Sequence, residues 1–212
     1  MPKLADATRS ARRAQLIAAA LACFARAGYQ ATTMADVAAE AGVSKGTPYL
    51  YFPSKQALFI ALHDEWDCGL AERVNRAIQA LAEPERRSPR RVLQTVAAAV
   101  GAHVVEYPQT CRVLMEARTL ATYQPAIATA VQAADTRTHE QLEGLVRAGV
   151  AAGQWPAGTD PALQARLFTA ALYGLMAQWH LAPDSFSWDA AATALTSDPA
   201  QTPDSASPTG QA

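Results

Sequence analysis

Residues 43–55, VSKGTPYLYFPSK, gather side chains suited to touching a polyanion. Ser44 stands where a helix would begin, and the unpaired N–H groups of a first turn favour a phosphate. Lys45 and Lys55 bracket the stretch, two of only three lysines in a chain with fifteen arginines. Gly46 removes a side chain where a helix would press against a surface. Thr47 offers a hydroxyl and a methyl group to a base edge. Tyr49 and Tyr51 carry hydroxyls that reach phosphates while their rings pack. Thr33, upstream, marks a second helix N-terminus of the same kind. The chemistry these types support is phosphate and base-edge contact. Tyr49 points that way, Tyr51 fits phosphate contact and core packing equally, and Leu50 and Phe52 read as core.

Such residues need short helices to hold them, and the flanking pattern is helical nearly throughout. Leu16, Ile17, Ala20, Leu21 and Phe24 form an apolar stripe over residues 9–27, closed by Gly28. Thr33 is the expected N-cap of a second helix, with Asp36 completing a capping-box variant. Met34, Val37, Ala38 and Ala41 give that helix its apolar face, and Gly42 its end. Ser44 is expected to cap a third helix over residues 45–51. Pro48 would forfeit one intrahelical bond there, leaving a short, stiff element. Two short helices joined by AGVS fit a helix-turn-helix. Ser54 then caps a long helix with Leu58, Leu62, Trp66 and Leu70 on one face.

A polar loop is expected over residues 83–91, followed by helices near 89–107, 109–122, 125–152, 161–181 and 187–195. The tail from Ser197, rich in Pro, Ser and Thr, is expected to be disordered. No strand alternation or hairpin turn appears. The fold class is therefore all-α, with about nine helices. An N-terminal helix-turn-helix domain over 1–53 would precede a helical body over 54–196 and a tail over 197–212.

The net charge of −1 is unevenly spread. Through Ile60 there are seven Lys or Arg against three acids, so the basic end sits on an acidic body. Cys23, Cys68 and Cys111 are widely spaced and suggest no metal site. His63, Asp64 and Glu65 are consecutive, and neighbours on a helix point different ways. No catalytic residue, metal or cofactor is expected. No long apolar run suggests a membrane span, and no apolar segment after a basic start suggests a secretory leader, so the cytoplasm is the expected compartment.

The segment TTMADVAAEAGVSKGTPYLYFPSKQALF resembles the DNA-binding region of the TetR family of transcriptional regulators. The matching positions are Thr33, Val37, Ala38, Ala41, Gly42, Val43, Ser44, Gly46, Tyr49, Tyr51, Phe52, Lys55 and Leu58. The chain departs from the pattern at Pro48, where the family usually has a bulky aliphatic, and at Leu50, where His or Arg is common. The resemblance implies a homodimer on a palindromic operator, released when a small, largely apolar effector enters the body. Thr33, Ser44, Lys45, Gly46, Thr47, Tyr49, Tyr51 and Lys55 would then contact operator DNA. The effector pocket would draw on Leu62, Trp66, Leu70, Val96, His103, Tyr107, Met115, Arg118, Leu142 and Leu145. His103 and Arg118 stand out, because a buried polar group needs a partner and a ligand can supply one. The dimer face would comprise Leu167, Ala170, Ala171, Gly174, Leu175, Gln178, Trp188 and Leu195, with small residues permitting close approach. The residues alone also fit an architectural DNA-binding or protein-interaction factor without an effector.

Overall fold

The computed structural model describes residues 2–183 and 185–197; the tail over 198–212 lies outside the described residues. Among the described residues the fold comprises nine α-helices and one short 3-10 helix, with no strand. Helix α1 spans Pro2–Ala31 and starts well before its apolar stripe, because proline is tolerated in a first turn and good helix formers follow it. Gly28 interrupts it with φ 77° and ψ 167°, a conformation open essentially only to glycine.

Helix α2 (Met34–Glu40) begins with the expected capping box. The Asp36 N–H donates to the Thr33 hydroxyl at 3.2 Å, and the Thr33 N–H donates to the Asp36 carboxylate at 2.8 Å. Gly42, at φ 64°, closes α2. The N–H groups of Gly42 and Val43 reach back to the carbonyls of Ala39 and Ala38, at 3.1 and 2.9 Å, so the helix end leaves few carbonyls unpaired.

The third element corrects the sequence expectation. Residues 47–50 form a single 3-10 turn, Thr47–Leu50, with Gly46 rather than Ser44 at its cap position. Proline explains the change. In an α-helix the Ser44 carbonyl would accept from residue 48, which has no N–H. It accepts instead from the Thr47 N–H at 2.9 Å, and Tyr49 likewise donates to Gly46 at 3.2 Å. These i→i+3 bonds tighten the turn. Pro48 is fully buried, filling the place of a bulky aliphatic.

Helix α3 (Lys55–Gln79) is capped by the Ser54 hydroxyl, which accepts from the Ala57 N–H at 3.1 Å. A one-turn α4 (Glu83–Arg86) replaces part of the expected loop, held by Glu83 ion pairs to Arg86 and Arg87 at 2.9 and 3.0 Å. The body continues with α5 (Pro89–Glu106), α6 (Pro108–Ala121), α7 (Pro125–Ala151), α8 (Pro161–Leu181) and α9 (Trp188–Thr196).

Two apolar cores hold the molecule together. One joins Leu16, Phe24, Val37 and Phe52 of the head to Phe59 of α3 and to Val113, Ala117 and Leu120 of α6. The head therefore shares its core with the body across residue 53. The other core is built from α5, α7, α8 and α9, around Leu93, Val100, Val146, Phe168, Trp179 and Trp188.

Candidate nucleic-acid interface and junction cleft

The head presents the 3-10 turn outward. Pro48 and Phe52 anchor it from below, while Ser44, Lys45 and Gly46 are exposed and Tyr49 is 56% exposed. The Ser44 and Thr47 hydroxyls lie 2.8 Å apart and pin the start of the turn. Thr33 is exposed at the start of α2, though its hydroxyl is engaged with Asp36 at 2.7 Å. Those hydrogen bonds hold the Asp36 carboxyl below its ordinary pKa. Tyr51 is half-buried against the head core.

Two residues sit differently from their expected places. Lys55 turns inward. Its ammonium donates to the carbonyls of Tyr29, Gln30 and Thr32 at 2.6, 3.2 and 2.8 Å, and lies 4.4 Å from the centre of the Tyr29 ring. It caps the end of α1, where unpaired carbonyls favour a cation, and burial pushes its pKa down. Leu50, expected in the core, is instead 75% exposed. A single 3-10 turn cannot bury residues 48, 50 and 52 together, and Pro48 and Phe52 take the inner positions.

The head is fastened to α6 by polar contacts the sequence reading missed. The Tyr29 N–H donates to both Glu116 carboxylate oxygens, at 3.1 and 3.2 Å, and Arg112 donates to the Ala25 carbonyl. Their only sequence signal is a pair of charged residues on a helix that already has an apolar face.

Beside this junction lies a cleft of about 400 Å³. Helix α1 contributes Ile17, Ala18 and Leu21, and α3 contributes Leu62 and Trp66. His103 and Tyr107 close it from the end of α5. Four of the ten expected effector residues thus meet here: Leu62, Trp66, His103 and Tyr107. Val96 and Leu142 are buried in the body core, and Leu70, Met115 and Leu145 pack against it. Arg118 forms a forked ion pair with Asp135, at 2.5 and 3.2 Å, with its guanidinium 3.6 Å from the Tyr173 ring centre.

His103 is only 7% exposed, and neither ring nitrogen has a hydrogen-bond partner among the described residues. Its ring centre lies 4.1 Å from that of Trp66 and 4.9 Å from that of Tyr107. Burial, then the nearby Arg73, push its pKa down, which favours the neutral imidazole. Arg73 is itself ion-paired with Glu106.

A second groove, about 330 Å³, runs along the outer side of α8 and α9. It is lined by Ala171, Gly174, Leu175, Gln178 and Leu195, with Ala191 and Ala194. Leu167 is 55% exposed on α8, near the exposed Ala170. Trp188 does not join them, because its ring is buried against Gly101 of α5.

A seven-residue helix followed by an exposed 3-10 turn, set on a larger all-helical body, is the layout of a helix-turn-helix DNA-binding regulator. Comparison with known proteins makes the class specific. Residues 16–62 match the bacterial regulatory proteins of the tetR family, and residues 89–198 match the C-terminal region of BetI-type transcriptional repressors. The chain belongs to the TetR family of transcriptional regulators. It is 32% identical to the HTH-type transcriptional regulator HbdR of Aromatoleum sp. over 72% of its own length and 62% of that protein's. It thus spans less than two thirds of that relative. A putative transcriptional regulator from Pseudomonas aeruginosa shares the fold with a TM-score of 0.78 at 24% identity, over 88% of each chain. The regulator FadR from Bacillus subtilis, in complex with stearoyl-CoA, gives a TM-score of 0.74 at 21% identity, over 86% of this chain and 94% of that one. Among the described residues no helix is long and apolar enough to cross a membrane.

Proposed function

We propose that this chain is a cytoplasmic, one-component repressor that binds a palindromic operator as a homodimer and leaves it when a small molecule enters the body. The observation that carries this reading is the junction cleft, whose walls belong partly to the head (α1) and partly to the body (α3 and α5). A molecule held there touches both the DNA-reading unit and its support. Lys45, Thr47 and Tyr49 supply the DNA contacts from the exposed turn, with Ser44 just ahead of it and Thr33 at the start of α2. The division into a head over 1–53, a body over 54–196 and a tail over 197–212 is part of the same proposal.

The outer groove of α8 and α9 supports the dimer. The half-buried Leu175 and Leu195 beside small residues, with Leu167 exposed on the same helix as Leu175, suit a second copy of the same face, as a two-fold interface requires. The stearoyl-CoA bound by the Bacillus subtilis neighbour supports a small-molecule effector. To act, that effector must bind the free and operator-bound conformations with different affinity.

The test is fluorescence anisotropy of the full chain with labelled duplex DNA from upstream of its own gene. Sequence-specific binding that weakens steeply with salt is expected. Tyr49→Ala is expected to weaken it without changing the thermal midpoint. Binding that ignores sequence sinks the reading.

A further inference from the structure

We propose that the junction cleft takes an uncharged, mostly apolar molecule carrying one hydroxyl group, seated against His103. This rests on the effector reading above and names the class of molecule. The walls contributed by Ile17, Leu21, Leu62 and Trp66 are apolar, so most of the ligand must be apolar too. His103 is a buried polar side chain facing the cleft, and both of its nitrogens lack a partner among the described residues. A neutral imidazole has one N–H donor and one acceptor nitrogen. A hydroxyl both donates and accepts, so it pairs with whichever nitrogen faces the cleft. A carboxylate can only accept and an ammonium can only donate, and either brings a charge that must be desolvated.

The rim opposes both ionic classes. Glu65 and Glu72 face it together with Arg73 and Arg76, so neither sign is in excess. Glu65 is also paired with Arg13 at 2.5 Å, and Arg73 with Glu106. The depressed pKa of His103 agrees with a site that holds no net charge.

The experiment is isothermal titration of the full chain with three probes that share one ring system: 2-naphthol, 2-naphthoate and 2-naphthylmethylammonium. The naphthol is expected to bind about tenfold more tightly than either ion, since one unsatisfied charge-assisted contact is worth about that factor. His103→Leu is expected to abolish this preference, and His103→Gln to retain part of it. Leu21→Trp fills the cleft from the α1 side and is expected to block all three probes, which keeps the test open if position 103 does not tolerate change. Tighter binding of an ion, equal binding of all three, or no binding at all overturns the proposal. A chain that binds its operator yet ignores the probes fails here and leaves the regulator reading standing. A chain that binds naphthol but no specific DNA does the reverse.

A separate observation carries a second inference. Leu50 is 75% exposed on the DNA-facing turn, beside Tyr49 at 56%. The apolar group in the major groove is the thymine methyl, and it distinguishes thymine from every other base. We infer that Leu50 is a specificity residue packed against thymine methyl groups of the operator, an inference that rests on the DNA-binding reading. The test replaces operator thymines by uracil, which keeps every hydrogen-bonding edge and removes only the methyl. The wild-type chain is expected to lose about fourfold in affinity per contacted methyl, and Leu50→Ala to be indifferent to the replacement. Specific binding that is equally strong on uracil and thymine DNA overturns the role of Leu50 alone, whereas absence of specific binding removes the DNA reading with it.

Discussion

Gly101 on α5 and Gly174 on α8 are both glycines inside helices of the body, and they face opposite surroundings. A methyl group on Gly101 would come within 2.5 Å of the Trp188 ring, closer than real contacts allow. On Gly174 it would meet none of the described residues within 4 Å. One glycine lets α9 lay its tryptophan directly on α5, so that contact is completed within a single chain. The other stands in a groove lined by the half-buried Leu175 and Leu195, where no described residue supplies a partner. A small residue on a helix thus marks a close approach that is either already filled or still open, and only the packing around it tells which.

The largest expected effect breaks the filled side. Gly101→Ala should lower the unfolding free energy by about 1–3 kcal/mol in urea denaturation, because the added methyl would lie 2.6 Å from the Trp188 Cβ as well as 2.5 Å from its ring, so a ring rotation alone does not relieve the clash. The gain in helix propensity, up to about 1 kcal/mol, offsets part of that. An unchanged midpoint would mean that Trp188 does not pack there.

The next effect sharpens the open side. Leu175→Glu puts a charge into the α8–α9 groove, where Leu175 is half-buried. The expected outcome in sedimentation velocity is a folded monomer in place of a dimer. A dimer that survives the change, with the same dissociation constant, would place the interface elsewhere.

How far the sequence reached follows from the same contrast. Local devices were legible: the Thr33–Asp36 capping box, the Ser54 cap and the Gly42 stop each depend on residues within one turn. Features that depend on distant partners were not. Lys55 turns inward because carbonyls some 25 positions earlier converge on it. Trp188 and Leu195, seven positions apart, do share one face of α9, but Trp188 at the first residue is buried on Gly101 while Leu195 at the far end reaches the groove, a difference set by which helix lies opposite each end. Leu50 was misread for a different reason. Its element is one tight turn, too short for helical periodicity to fix an inner face, and proline had already converted it to i→i+3 bonding. In the cleft, the aromatic and histidine positions could be read as a group, but the participation of α1 could not, since nothing in the local pattern tells which helix covers them.

His103 gives a smaller and pH-dependent effect. Its folded pKa is depressed, so the unfolded chain takes up the proton first. Stability is therefore fully present above the unfolded value of about 6.5 and falls as the pH drops through it. His103→Leu removes that component. Between pH 7 and pH 5 the variant is expected to lose less stability than the wild-type chain, read as the difference in urea midpoints. Parallel slopes would show that His103 titrates alike in both states.

The smallest effect is the most discriminating for the glycine comparison. Gly174→Ala adds a methyl group to open space, so a lone chain has no clash to resolve and gains helix propensity, at most about 1 kcal/mol. A dimer that uses Gly174 for close approach must instead move apart by the size of that methyl. The two consequences have opposite signs, and protein concentration separates them. At concentrations low enough to favour monomer, the variant is expected to melt slightly above the wild-type chain. At high concentration, where association stabilises the folded state by mass action, it is expected to melt below. A crossing of the two curves identifies Gly174 as a contact between copies. Curves that stay ordered the same way at every concentration would make it an ordinary surface glycine, with the open groove serving some other partner.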